Sequence, residues 1–299
     1  MPLPVPRSLS PTRVTSFTDC PLAFRLRTID RLPEPSSPPA VKGTLVHAAL
    51  EGLIWHHPPG SRSRRAAASE LDRAWARLQS DPELLGLGLT GDEAAELRAD
   101  AGTLVERYFE LEDPDRVRAV GVEMLLEADL GRLRLRGIID RLDLTDDGEL
   151  VVVDYKTGKA PGARYEQGRL TGVHLYALLC HRVLGKLPVE VRLLHLRDPV
   201  VISTHPSDQT VRGQQQRTLA VWAAIERSCE RADFRPRPSP LCRYCHFQAW
   251  CPVFGGEPPP VDRLVPGETS EVAAGAGDGP GPGGAAARAP LPEAAAGQR

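Results

Sequence analysis

The chain has 299 residues, 41% of them hydrophobic and 25% charged, with a formal net charge of −2 at pH 7. That balance is ordinary for a soluble globular protein with one large core or two smaller ones. It excludes a membrane-spanning class, since no apolar run approaches the roughly 20 residues needed to cross a bilayer. The opening MPLPVPRSLSP lacks the apolar centre of a secretion signal, so a cytoplasmic location is expected.

Ser10-Pro11 opens a first helix, a capping hydroxyl followed by proline at the first helical position. It carries Val14, Phe17, Cys20, Phe24 and Leu26 inward. Residues 33–39, rich in proline and serine, read as a loop. Residues 43–55 form a second helix, with Leu45, Ala48, Ala49 and Leu53 at helical spacing. Residues 65–78 and 92–111 give two more, so a helical insert at about 60–113 precedes a sheet at about 117–205. Residues 117–127 are strand-like and lead through Asp129 to Gly131 into the next strand.

That strand opens residues 137–158, GIIDRLDLTDDGELVVVDYKTG. Two runs rich in Ile, Leu and Val flank Thr145-Asp146-Asp147-Gly148, a strong turn signal, so the stretch predicts a β-hairpin. Each run carries an acid where an apolar residue is expected, Asp140 in the first and Asp154 in the second, with Lys156 two residues further on. Alternation along a strand places Asp154 and Lys156 on one face. A three-residue loop with glycine in the left-handed slot pairs Thr145 with Glu149 and therefore Asp140 with Asp154. Opposed residues have Cβ atoms about 4.5–5.5 Å apart, and two carboxylates held so close repel unless a proton or cation lies between them. A single acid at a strand end usually just faces solvent, and an Asp-x-Lys pair at a surface is worth little. All three groups in one hairpin favour a divalent-metal site for phosphate chemistry. The chain has only four lysines among its 37 cationic residues, so a lysine written here suits a need for a compact ammonium.

Beyond the hairpin, a helix is expected around 165–184, strands at 189–196 and 200–204, and a long helix at about 207–231. Cys180 and Cys229 fall on apolar faces of these helices and read as small core residues. From Gly255 to Arg299 the composition turns to Gly, Pro, Ala and acids with no aromatic residue, which predicts a disordered tail. Without that acidic tail the body is close to neutral, so any groove for nucleic acid must be a local basic patch. Arg62-Ser63-Arg64-Arg65 and the alternating Arg132, Arg134 and Arg136 are candidates, although such runs are usually solvated faces.

Cys242-x₂-Cys245-x₅-Cys251-Pro is a compact thiolate group that needs a fourth ligand. Six cysteines in a chain of this length do not suggest a secreted disulfide scaffold, and their grouping points to metal. Spacing alone leaves both zinc and iron–sulfur open, and both Cys20 and His246 as the fourth ligand.

The glycine-apolar-apolar-Asp strand followed by Val-Asp-Tyr-Lys-Thr-Gly resembles the core of the RecB-type nucleases of the PD-(D/E)XK superfamily, over most of residues 8–254. The resemblance implies an α/β, restriction-endonuclease-like core with a mixed central sheet flanked by helices. It also implies a metal-dependent deoxyribonuclease, an exonuclease by preference, acting on DNA with a single-stranded end in repair or recombination. Asp140 and Asp154 would bind Mg²⁺ or Mn²⁺ and Lys156 would be the catalytic lysine, with the backbone carbonyl of Tyr155 as a further ligand. His47, in Gly43-x-x-x-His47, resembles the family's metal-side histidine; by itself it reads as one more helix histidine. Tyr176 resembles the tyrosine of a Gln-x-x-x-Tyr motif that touches the DNA backbone, but Gly172 stands in the glutamine slot, with His174 and Gln167 nearby. An N-terminal Cys-Pro plus a terminal C-x₂-C-x₅-C is similar to the iron-staple nucleases, including AddB-type subunits and CRISPR adaptation nucleases. That implies a [4Fe–4S] cluster on Cys20, Cys242, Cys245 and Cys251, closed by segment 242–251, with structural Zn²⁺ as the alternative. No Walker A loop is present, so unwinding would fall to a helicase or repair-complex partner. The rival expectation is a non-catalytic DNA-binding scaffold that keeps the fold.

Overall fold

The computed structural model describes residues 2–160 and 163–260, of which 163–171 are described as backbone only. The expected disordered tail therefore falls largely outside the described residues, as does the side chain of Gln167. In chain order the helices are α1 (Pro11–Asp19), α2 (Pro21–Phe24), a π-helical turn (Arg25–Ile29), α3 (Pro38–His56), α4 (Arg64–Leu78), α5 (Pro82–Leu85) and α6 (Gly91–Leu111), then α7 (Ala163–Val183) and α8 (Asp208–Arg231). The strands are β1 (Ala119–Leu130), β2 (Leu133–Leu144), β3 (Leu150–Lys156), β4 (Glu190–His195) and β5 (Val200–Thr204).

Local chemistry sets where the helices begin. Ser10, Ser37, Ser63 and Ser207 each accept a backbone N–H from the third residue on, and Thr90 with Glu93 forms a reciprocal capping box. Ser37 corrects the expectation for residues 33–39. The cap starts α3 five residues earlier than the apolar spacing suggests, and Pro38 and Pro39 are tolerated because the first turn has no intrahelical use for their missing N–H groups.

The sheet is five-stranded, in the order β1-β2-β3-β4-β5, with β3 and β4 parallel and the other neighbours antiparallel. The β2–β3 register runs from Arg141↔Val153 to Leu144↔Leu150 and closes through Thr145 N–H on the Glu149 carbonyl at 2.9 Å. Gly148 turns the loop at φ +75°, the left-handed slot expected for it. The expected Asp140–Asp154 rung lies one step beyond Arg141↔Val153, where the paired ladder has ended.

Two cores cover the two faces. Val152, Leu193 and Leu142 pack with α1, α7 and α8 on one side; Val151, Val153 and Tyr155 pack with α3, α4 and α6 on the other. Cys180 and Cys229 lie fully buried in the first core, where burial pushes their thiols up to about 12 and about 11, so they are inert packing residues as expected. The second face is bolted by Arg141, which is fully buried. Its guanidinium donates to Asp143 at 2.9 Å, to the Tyr155 hydroxyl at 2.7 Å, to the Tyr108 hydroxyl at 3.3 Å and to both oxygens of Glu112 just past α6. A buried guanidinium is tolerated only when its donors are met, and here each partner comes from an element that must be held against the sheet.

In both basic runs most of the arginines meet a carbonyl or an acid. Arg62 is buried and donates to the carbonyls of Ile54, His57, Pro114 and Val117, while Arg64 pairs with Glu106. Arg132, Arg134 and Arg136 pair with Glu226, Asp129 and Glu127. Neither run is the local excess of positive charge that a DNA groove requires.

Replacing Arg141 with alanine leaves the Asp143 and Glu112 carboxylates unpaired in the interior. Urea denaturation should show a loss of about 3–5 kcal/mol; a loss below about 1 kcal/mol would mean the network does not hold α6 to the sheet.

Candidate metal centre

The strand alternation that should run through β2 breaks at the site. Ile139 and Leu142 both pack into the α1/α7/α8 core, whereas Arg141 and Asp143 reach the other face. The paired β2–β3 rungs stop at Arg141, and in place of a backbone partner the Tyr155 N–H donates to Asp140 Oδ2 at 2.7 Å. The Asp140 carboxylate thus sits at the mouth of a splayed strand pair. On β3, Asp154 is buried and its Oδ2 lies 2.5 Å from the Lys156 ammonium, which is about one-third exposed.

His47 arrives from α3. A Cβ on Gly43 would lie 3.4 Å from Thr157 Oγ1, so the glycine lets α3 cross close to the end of β3. The imidazole Nε2 lies 3.1 Å from the Tyr155 carbonyl and Nδ1 lies 3.5 Å from Asp140 Oδ2. A carbonyl can only accept, so Nε2 carries a proton, and Nδ1 is the ring nitrogen that faces the carboxylates. The expected metal-side groups, His47, Asp140, Asp154 and the Tyr155 carbonyl, therefore converge, with Lys156 beside them.

Two further acids join them that the sequence pattern did not single out. Glu123, on β1, lies 3.9 Å from His47 Nδ1, and His47, Glu123 and Asp140 offer ligand atoms all within 4.8 Å of one another. The β1–β2 rungs Val122↔Arg141 and Met124↔Ile139 bracket Glu123 opposite Asp140. Glu123 has φ +44°, a strained conformation for a residue with a Cβ. A signal for it exists in the chain, because the tight turn at Gly131 pairs Leu130 with Leu133 and so counts back to Glu123 opposite Asp140. Glu51, one helical turn after His47, is near enough to act electrostatically on Glu123 and has its own carboxyl raised by burial.

The electrostatics state what the pocket lacks. Burial, with help from Asp140, Glu51 and Asp154, pushes the Glu123 carboxyl up to about 9. Burial also pushes Asp140 up to about 6; Asp154 adds to that, while His47 and Lys156 oppose it. Protons stand in where a cation would relieve the repulsion. The Glu123 and Asp140 carboxylates and the His47 imidazole form an oxygen-rich donor set with one nitrogen that could hold a metal ion.

Tyr176 lies on α7 against Gly137 of β2. A Cβ there would sit 2.8 Å from Leu179 Cδ1 and 3.4 Å from the Tyr176 ring, so the glycine that opens the hairpin motif is what lets α7 settle on the sheet. Far from this site, Cys20 reaches the C-terminal cysteines. Cys20, Cys245 and Cys251 pack on a small core of Leu22, Leu26 and Phe247. Burial raises the Cys245 thiol, and Cys20, Cys242 and Cys251 are close enough to raise it further. Arg237 N–H donates to Cys20 Sγ at 3.4 Å and Ser239 N–H to Cys242 Sγ at 3.3 Å. His246 is exposed.

Comparison with known proteins agrees with this geometry. The family model for the PD-(D/E)XK nuclease superfamily matches residues 8–252. The Gene 69 protein of Mycobacterium phage D29 is 25% identical over 270 residues, covering 82% of this chain and 96% of the phage protein. The Gene 69 protein of Mycobacterium phage L5 is 29% identical over 137 residues, 44% of each chain. The crystal structure of a candidate exonuclease from Eubacterium rectale covers 80% of this chain and 87% of its own at 14% identity, with a TM-score of 0.48. A family match that runs from the first helix to the last cysteine and takes in every element carrying the acids makes the conclusion direct: this chain belongs to the PD-(D/E)XK nuclease superfamily.

Proposed function

We propose that the protein is a metal-dependent deoxyribonuclease of the RecB type, an exonuclease acting in the cytoplasm on DNA with a single-stranded end, in repair or recombination. The observation that carries this is the convergence of Asp140, Asp154 and Lys156 from two strands, with His47 and Glu123 against Asp140. Glu123, Asp140, Asp154 and His47 Nδ1 would hold Mg²⁺ or Mn²⁺, and the Tyr155 carbonyl, expected as a further ligand, would do so only in place of its hydrogen bond to His47 Nε2. When bound, such an ion polarises a phosphoryl oxygen and lowers the pKa of attacking water.

The chain's own groups do the rest. The Asp154 carboxylate fixes the Lys156 ammonium at the pocket mouth, where its remaining donors can orient a water or meet charge developing on the scissile phosphate. The Tyr155 N–H holds Asp140 Oδ2 and leaves Oδ1 for the pocket. The Tyr155 carbonyl fixes the imidazole tautomer of His47. Tyr176 would touch the DNA backbone from α7. No described helix is long and apolar enough to cross a membrane. A helicase or repair complex would supply unwinding.

Cys20, Cys242, Cys245 and Cys251 would hold a structural [4Fe–4S] cluster, with Zn²⁺ as the alternative. The two backbone N–H groups aimed at sulfur favour thiolate charge there. A tie between Cys20 and the C-terminal group closes a loop of more than two hundred residues, and chain entropy makes long closures the most stabilising.

Asp154→Ala and Lys156→Ala should each lower cleavage of labelled linear DNA in Mn²⁺ by on the order of a hundredfold or more, leaving the visible absorbance unchanged. If both variants cut at the wild-type rate, the site assignment fails. If all variants and the wild type bind DNA without cutting it, the scaffold reading replaces the enzyme.

Anaerobically purified protein should be brown and contain iron and acid-labile sulfide, both lost in Cys20→Ala. Colourless protein with stoichiometric zinc would assign the site to Zn²⁺.

The raised carboxyls set a pH dependence. A carboxyl whose pKa is higher folded than unfolded favours the fold at low pH, and that support is lost as pH rises through the folded value. The metal-free protein should therefore lose thermal stability from pH 6 to pH 9, bracketing the values of about 6 and about 9. Mn²⁺ must displace the Glu123 proton, so its affinity should tighten by up to about tenfold per pH unit over that window. Glu123→Gln should flatten both trends, as read by calorimetry in buffers of differing ionisation enthalpy; equal slopes in the variant would remove Glu123 from the site.

A further inference from the structure

The segment that carries the three C-terminal cysteines is unusual in what it exposes. Residues 240–254 form three short 3₁₀ turns, Pro240–Tyr244, Gln248–Trp250 and Pro252–Phe254. Phe247 turns inward onto Leu22 and Leu26. Leu241, Tyr244, Trp250, Val253 and Phe254 turn outward, with Tyr244 66%, Phe254 50% and Trp250 38% exposed. Among the described residues the one other large exposed aromatic is Trp55, on α3. Single exposed apolar residues need no explanation, whereas five within fourteen positions of one segment do.

Along the segment itself the charge has one sign. From Phe234 to Gly256 the chain has no Asp or Glu and carries Arg235, Arg237 and Arg243. Arg243 sits 4.7 Å from the centre of the Tyr244 ring and makes no ion pair among the described residues. Arg237 is exposed and its guanidinium rests on the Thr18 carbonyl. Arg235 is 85% exposed and meets Asp233, just outside the acid-free stretch, at 3.2 Å. Prolines 236, 238, 240 and 252 and the packed cysteines keep this surface from collapsing onto its own apolar groups.

We infer that this collar is a stacking platform for single-stranded nucleic acid, with bases on Tyr244, Trp250 and Phe254 and phosphates on Arg235 and Arg243. Exposed rings interleaved with arginines and free of acids match a polyanion whose bases present π faces. A protein interface also enriches aromatic residues and arginine, so what favours nucleic acid here is the net positive charge of the segment, three arginines and no acid from Phe234 to Gly256. The inference rests on the nuclease reading for its biological use, since a strand held here is one the enzyme can be fed, but the binding itself does not depend on catalysis.

The test is fluorescence anisotropy with a labelled oligo(dT) of about twenty nucleotides, without added Mg²⁺ or Mn²⁺, using full-length protein whose iron or zinc content is checked before and after. Tyr244→Ala/Trp250→Ala/Phe254→Ala should weaken binding at least tenfold at constant salt. Arg235→Ala/Arg243→Ala should reduce the slope of log affinity against log salt by roughly 0.7 per arginine. Asp154→Ala should bind like the wild type, which separates this result from the fate of the proposed active site. Unchanged affinity in both collar variants, with metal content and circular dichroism preserved, overturns the inference. So does self-association of the wild type, seen by light scattering and abolished by the triple variant, because the collar would then be a face between copies of this chain. Where the triple variant loses its metal, the arginine variant decides, and an unchanged salt slope there overturns the inference equally.

Discussion

Buried negative charge with too little positive charge to answer it is the constraint on which this structure turns. Glu123 on β1, Asp140 on β2 and Asp154 on β3 sit at corresponding positions of three neighbouring strands, with Glu51 behind them on α3. Lys156 answers one of these charges, and His47 is shared between two of the others. Burial first, and then Asp140, Glu51 and Asp154, push the Glu123 carboxyl up to about 9. A core that only had to be stable would not keep such an arrangement, because buried carboxyls cost free energy unless paired. The arrangement is one that could hold a metal ion, through His47, Glu123 and Asp140.

Holding it requires rigid surroundings, and two devices supply them. On the far face of the sheet, Arg141 draws α6, β2 and β3 into a single hydrogen-bonded unit directly behind the splayed strands. On the near face, Gly137 lets α7 rest on β2, and near the end of β3 Gly43 lets α3 pass close enough to deliver His47. Glycines and arginine thus do for this site what a second layer of side chains does in any preorganised centre: they remove the freedom of the groups that must not move.

The arginines divide along the same lines. Arg62 and Arg141 are internal bolts, and Arg132, Arg134 and Arg136 are matched by acids one by one. Arg235, Arg237 and Arg243 lie elsewhere, in the acid-free segment around the cysteines, beside exposed rings. The near-neutral net charge of the chain conceals this, since averaging over 299 residues cancels what is local.

Much of the fold was legible in the sequence, and for a physical reason. A strand has a side-chain period of two and a glycine turn fixes the offset, so Asp146–Gly148 sets the rungs from Leu144↔Leu150 to Arg141↔Val153 and brings Asp140 to the end of that ladder. Serine and threonine caps likewise mark the helix starts, with Ser37 obscured only because two prolines follow it. The family resemblance brought in His47, whose role no spacing could establish, and it paired Cys20 with a group more than two hundred residues away. What tertiary structure alone decided is which distant groups share a volume and which charges are already spent. Glu51 and Glu123 join the site, Cys20 meets the C-terminal cysteines, and Arg62 disappears into four carbonyls, because packing brings α3 and β1 together and the two ends of the folded body together. Local pattern reports the period and caps of a segment; burial and pairing depend on what another segment brings to it.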